Sequence, residues 1–266
     1  MGNPEVFYWT SGFFYACSSL NRNNEGKLVK IGKFYGIGVG PGDPGLLTLR
    51  AVEVLCQVQV VFAATGARSH DCVSGSVVNA VAGCKAERVT LVFSMARDME
   101  DRRQAWSDNA KQVVDALQQG KDCAFVTIGD PLIYSTYTYL LRQVQELLPE
   151  VEVETIPGIT SFQAVAARNN LPLVEDQATL GLIPAWTRES TRDPQFKNAD
   201  TLVLLKTYHH RQEILARLRE SGFVGECIYA SRVGLDDEMM VSGIDAIAQV
   251  PETYLSLIIA KRKPER

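Results

Sequence analysis

The sequence predicts an α/β fold in which a largely parallel sheet is followed by a smaller second α/β unit. Three observations predict it. From Phe34 onward short β-rich runs alternate with longer helical patterns, the rhythm of strand-crossover-strand units. Three of the first-half strands run into loops that pair glycine with proline, "GVGPGDPG", "TIGDPLIYST" and "IPGITSF". Past Leu171-Pro172 the spacing of the apolar runs changes. A chain of 266 residues with 46% hydrophobic content can bury cores of this kind.

In order, "FYGIGV" (34–39) reads as a strand, and "GLLTLRAVEVLC" (45–56) reads as a helix opened by glycine and proline. A strand follows at 58–64, a helix at 73–81 and a strand at 88–93. A long helical pattern runs over 101–119, and the apolar run 123–128 is the next strand. "GDPLIYSTYTYLLRQVQELLP" is a turn leading into a helix, "VEVETIP" a strand with alternating faces, and "GITSFQAVAARNN" opens another helix. In the second half strands are expected at 177–183, 201–206, 226–231 and 254–260, with a helix at 211–220 joining the second and third. The expected organisation is an N-terminal extension over 1–32, an α/β domain over 33–171 and a second over 172–266.

Composition narrows the function. A net charge of −4 argues against a general nucleic-acid surface. The six cysteines form no C-x-x-C pair and sit mostly in apolar runs, which reads as reduced core thiols in a cytoplasmic protein. His70, Cys72 and Cys84 fit no standard zinc spacing, so no metal is expected. The stretch "VFYWTSGFFYACSSL" mimics an export signal, but no Lys or Arg precedes it and Thr10, Ser11 and Gly12 break it. It is expected to be frayed or loosely docked, and no later stretch is long enough to span a membrane.

Gly40, Gly42 and Gly45 match G-x-G-x-x-G, the dinucleotide fingerprint. Its context fails. Pro41 and Pro44 lack the N–H groups that would meet a pyrophosphate, and Asp43 places a carboxylate where that anion would lie. No Asp or Glu stands near the end of the second strand to take a ribose. The three glycine-proline loops sit instead at the carboxyl ends of strands, where loops of an open α/β sheet converge on one ligand. Glycine lets a ligand approach the backbone and proline fixes the turn, so main-chain groups are expected to do much of the recognition.

"GVGPGDPGLLTLRA", "TIGDPLIYSTYTYL", "PGITSFQAVAARNNLPLVE" and "TLVLLKTY", in this order, resemble the tetrapyrrole methyltransferases, the class III S-adenosylmethionine enzymes. Within that family they look most like the branch that methylates precorrin-2 or cobalt-precorrin-2 at C20; Ser135-Thr136 is the most telling part. The resemblance, from about Lys33 to the C-terminus, implies two α/β domains with a cleft between them and a homodimer. It places S-adenosylmethionine against Ile128, Gly129, Asp130 and Ile133, then Thr160 and Ser161, then Lys206. Arg232, Ser256 and Leu257 follow by strand order. Asp130 is either a cofactor contact or a helix N-cap, or both. Methyl transfer needs no nucleophile or metal, but a base can remove the proton from the methylated meso carbon. The candidates are Asp43, otherwise a turn residue, and Tyr134, otherwise a packed aromatic. Arg50, Arg168, Lys206, His209, His210 and Arg211 are the cations nearest the implied cleft for the carboxylates of the tetrapyrrole, each otherwise a solvated charge.

Overall fold

The computed structural model describes residues 20–22, 28–66, 72–93, 99–184 and 193–262. Strands β1 (Leu20–Arg22) and β2 (Leu28–Lys30) pair antiparallel within the expected extension. Ile31, at its end, is already buried in the first core. The export-like stretch up to residue 19, with Cys17, and His70 lie outside the described residues.

The first sheet is built from β3 (Phe34–Gly38), β4 (Val60–Gly66), β5 (Glu87–Phe93), β6 (Cys123–Thr127) and β7 (Val153–Ile156), in the order β5-β4-β6-β3-β7. Every pairing in it is parallel. Helices α1 (Leu49–Leu55) and α2 (Val73–Asn79) cover one face through Val54, Leu55, Val77 and Val78. Helices α3 (Met99–Gln118) and α4 (Tyr137–Leu147) cover the other, where Val113, Leu117, Tyr137 and Leu140 pack on Phe34, Phe62 and Phe125. With both faces covered, the central strand β6 needs apolar residues in succession, and "CAFV" supplies them.

The second sheet contains β8 (Leu180–Ile183), β9 (Thr201–Leu205), β10 (Cys227–Ser231), β11 (Met239–Ser242) and β12 (Ser256–Lys261), ordered β11-β10-β12-β9-β8. Only β8 and β9 run parallel; the other pairs are antiparallel. One face is packed under α6 (Gln195–Asn198), α7 (Arg211–Glu220) and α8 (Ile244–Ile247). The other receives α5 (Ser161–Arg168): Phe162, Val165 and Ala166 are buried with Val203, Ala230, Leu257 and Ile259. Leu46 and Ile159, from two of the glycine-proline loops, join this cluster, so it ties the first sheet's loops to the second sheet.

The helix expected at 45–56 divides. Asp43 caps a 3₁₀ turn over Pro44–Leu46, and α1 starts at Leu49 behind Thr48, whose hydroxyl accepts from the Ala51 N–H at 3.2 Å. The second half holds three elements the sequence pattern lacks, α6, β11 and α8, each of four residues. Cys123 and Cys227 are buried core thiols, and burial pushes both up to about 12.

Candidate functional site

The three glycine-proline loops are joined backbone to backbone. The Gly129 N–H donates to the Gly40 carbonyl at 2.7 Å, an isolated bridge between the loops after β3 and β6. The loop after β7 is packed beneath it. A Cβ on Gly158 would lie 2.2 Å from the Gly129 carbonyl oxygen and 2.7 Å from the Gly38 carbonyl carbon. Only residues without side chains let these segments come so close.

Asp130 fastens the same junction. One carboxylate oxygen accepts from its own turn, the Leu132 N–H at 2.8 Å, and the other from the Gly158 N–H at 3.1 Å. It does not cap a helix: α4 begins at Tyr137, behind Thr136, so the N-cap alternative is corrected to a clamp between two loops. Ser135 is buried and returns the loop to the sheet, donating to the Thr127 hydroxyl at 3.0 Å and accepting from the Tyr137 N–H at 3.1 Å. Ile128 packs on the core, whereas Leu132, Ile133 and Tyr134 are exposed. Thr160 forms a capping box with Gln163 at the start of α5, and its hydroxyl donates to the Gln163 side chain at 2.9 Å. Ser161 makes no side-chain hydrogen bond among the described residues, so it is the hydroxyl of the pair left for a ligand.

Lys206, Arg232, Ser256 and Leu257 gather at one edge of the second sheet. β9 and β10 end where the antiparallel β12 begins, with Leu205 opposite Leu257 and Ser231 opposite Ser256. Lys206, Arg232 and Leu255 all have left-handed backbones there, with φ of 58°, 51° and 59°. Tyr134 is left-handed too, at 49°. Each such residue costs roughly 1–2 kcal/mol, and strain of this sort concentrates at ligand sites. Ser256 and Leu257 are buried; the Ser256 hydroxyl accepts from Thr207 at 3.1 Å.

The two edges face each other. The Tyr134 hydroxyl donates to the Leu182 carbonyl in β8 at 3.3 Å. A Cβ on Gly42 would meet the Val233 carbonyl oxygen at 2.8 Å, so the first loop lies against the turn after β10. Arg168, at the end of α5, pairs with Glu238 and lies 4.0 Å from Asp43, and Glu238 also accepts from the Gly234 N–H. Sequence reasoning did not find this clasp, because its partners are 70 residues apart. Asp43 itself accepts from the Gly45 N–H at 2.8 Å. That N–H is therefore engaged, and a 3₁₀ turn stands where a dinucleotide fold needs a helix N-terminus.

The expected cations separate. Arg50 is held on the outside of the first sheet by Glu53 and Glu154, each 2.9 Å away. Hydrogen bonds from Lys33 and Arg50 hold the Glu154 carboxyl below its usual range against the opposing effect of burial. Arg211 is buried, donates to the carbonyls of Val250 and Pro251, and lies over the Tyr229 ring. It is a structural group, which corrects its place among the substrate cations. Arg211→Met leaves those carbonyls unpaired and is expected to cost about 1–3 kcal/mol in a thermal melt, with no change in ligand affinity. His210 contacts Glu213, and His209 lies against Tyr208 with ring centroids 4.1 Å apart. Lys206 is exposed and forms no ion pair among the described residues.

A site of this build can enclose a small polar molecule between two rigid edges and read it through main-chain groups. The family model for tetrapyrrole (corrin/porphyrin) methylases matches residues 33–245. A cobalt-precorrin-2 C(20)-methyltransferase of Salmonella typhimurium is 29% identical over 235 residues, covering 88% of this chain and 98% of that protein. A probable cobalt-precorrin-2 C(20)-methyltransferase of Methanocaldococcus jannaschii is 34% identical over 240 residues, covering 89% and 98%. The fold is shared with uroporphyrin-III C-methyltransferase from Thermus thermophilus complexed with S-adenyl homocysteine, at a TM-score of 0.61 and 22% identity over 86% of this chain and 97% of that one. A family match that takes in the whole first sheet, all three glycine-proline loops and the second unit as far as residue 245 makes this chain a member of the tetrapyrrole (corrin/porphyrin) methylases.

Proposed function

We propose that the protein transfers a methyl group from S-adenosylmethionine to C20 of precorrin-2 or cobalt-precorrin-2, a step in cobalamin biosynthesis. The observation that carries this reading is similarity along nearly the whole length of two relatives named for that reaction. The geometry is consistent with it. S-adenosylmethionine supplies an activated methyl group on sulfur, and an in-line displacement asks the protein mainly for alignment and exclusion of water.

The residues present fit such a molecule. Gly129 has open space beyond its backbone, where a Cβ would meet only the Thr160 Cα at 3.9 Å, and the Ser161 hydroxyl and Lys206 ammonium stand without partners among the described residues. In this reading Ile128, Gly129, Asp130, Ile133, Thr160 and Ser161 hold it from the first unit, and Lys206, Arg232, Ser256 and Leu257 from the second. Asp130 contributes by fixing two loops, and Thr160 by capping α5. Asp43 and Tyr134 are the candidates on the tetrapyrrole side to take the meso proton, Asp43 as its carboxylate and Tyr134 only as a phenolate, since its hydroxyl donates to the Leu182 carbonyl. We divide the chain at 33–171 and 172–266 and expect a homodimer in the cytoplasm. Support for the compartment is that Cys56, Cys72, Cys84, Cys123 and Cys227 are all free. Among the described residues no helix is long and apolar enough to cross a membrane.

The test is incubation with methyl-labelled S-adenosylmethionine and precorrin-2 or its cobalt form, with the new methyl located by NMR. Label at C20 is expected. Label at another ring carbon would move the protein to a different branch of the same family.

A further inference from the structure

Beside the site lies a cavity of about 430 Å³ between β4, α2 and β5 of the first unit and the turn after β10 of the second. Its half-buried apolar lining includes Val73 and Leu235, and its polar lining includes Asn79, Arg88 and Arg232. Among the described residues no acidic side chain lines it, although the chain carries a net charge of −4. Arg88 forms no ion pair among the described residues and is exposed on the edge strand β5. Arg232 donates through Nε to Asp237, which fixes its guanidinium and leaves the terminal nitrogens for another acceptor. Leu235 in its lining also lies against Gly42 of the first loop, and Arg232 stands at the sheet edge that carries Lys206 and Ser256.

We infer that this cavity is a subsite for one carboxylate-bearing edge of the tetrapyrrole, with Arg88 and Arg232 as its anion-binding side chains. The inference rests on the proposed reaction for the identity of the ligand. The volume is in the range of small-molecule pockets and is suited to one pyrrole ring with its acetate and propionate arms, whose apolar face would lie against Val73 and Leu235. Two guanidinium groups match those arms, since arginine binds carboxylates through paired N–H donors. The Arg232 side chain then serves the substrate, while its left-handed backbone stays at the sheet edge assigned to the cofactor. Arg88, in an exposed position of an edge strand, had no signal in the sequence pattern. Only the packing of the second unit's turn beside it makes it part of a site.

The test is an absorbance titration of precorrin-2 into protein saturated with S-adenosylhomocysteine, for the wild type, Arg88→Gln and Arg88→Lys. Losing a hydrogen bond to a charged group typically weakens binding by about tenfold or more. Arg88→Gln is therefore expected to raise the Kd for precorrin-2 about tenfold, and Arg88→Lys to raise it less. The S-adenosylhomocysteine Kd and melting temperature should stay at the wild-type values. Equal precorrin-2 affinity in Arg88→Gln and the wild type overturns the subsite, as does a parallel fall in S-adenosylhomocysteine affinity. The position of the methyl group in wild-type product separates this outcome from the reaction itself. Methylation away from C20 together with weakened binding by Arg88→Gln would sink the C20 assignment and keep the subsite. Methylation at C20 with unchanged binding by Arg88→Gln would do the reverse.

Discussion

Gly158→Ala is expected to weaken S-adenosylhomocysteine binding by at least about a hundredfold, the scale of loss that a displacement of about 1 Å can cause in a positioned site. The added Cβ would stand 2.2 Å from the Gly129 carbonyl oxygen and 2.7 Å from the Gly38 carbonyl carbon. Both obstacles are backbone, so no change of rotamer relieves them and the loops themselves must part. That movement also pulls the Gly158 N–H from Asp130, which holds the second loop to the third. Overpacking of this kind costs about 1–3 kcal/mol, so the melting temperature falls as well. A control separates the two effects. Gly83 has a φ of 87° and meets only the Cys56 sulfur, at 4.0 Å, so Gly83→Ala is strained without touching the loops. It is expected to lower the melting temperature and leave S-adenosylhomocysteine affinity intact. Calorimetric titration of both variants decides the matter. Undiminished affinity in folded Gly158→Ala would show that the loop junction lies outside the cofactor site.

What could be read in the sequence follows from where each element draws its stability. The strands β3 and β6 are buried on both faces of a parallel sheet, and so announce themselves as apolar runs. Helix α7 carries its own pattern, with Ile214, Leu215 and Leu218 inward, and its bounds match the expected 211–220. The strand β11 has no such signature. It is half-buried "MMVS", and it is a strand because β10 offers an antiparallel edge to it. The same distinction holds at the site. Loops that need close backbone approach must use glycine, which made the loop junction visible. Arg50 and Arg211 were misassigned because a cation's partner depends on tertiary contacts: Glu154 is 104 residues from Arg50, and the Val250 carbonyl is 39 from Arg211. Lys206 could be placed from the motif that ends in it and Arg232 by strand order, but their left-handed backbones could not be read from residues that seldom adopt them.

Asp43→Asn is expected to lower turnover at least about tenfold, the lower end of what a general base contributes, while S-adenosylhomocysteine affinity and melting temperature stay close to wild type. The structure makes this substitution a clean probe of charge. Asp43 holds its turn with one oxygen, which accepts from the Gly45 N–H at 2.8 Å, and an asparagine side-chain carbonyl can accept the same bond. Its other oxygen is 4.0 Å from Arg168, and both side chains are partly exposed, at 44% and 35%. An ion pair so exposed contributes about 0–1 kcal/mol. Arg168 also keeps Glu238 as a partner when Asp43 loses its charge, so the clasp between α5 and the second unit survives. What the variant removes is a carboxylate able to take a proton at the face of the first loop turned to the second unit. A turnover equal to wild type would leave Asp43 as a turn former and Tyr134 as the remaining candidate. Tyr134→Phe would then be the variant to slow the reaction, since it keeps the ring and removes only the hydroxyl that now reaches Leu182. If cofactor affinity falls in step with turnover in Asp43→Asn, the first loop contributes to the cofactor site, and the tetrapyrrole lies elsewhere in the cleft.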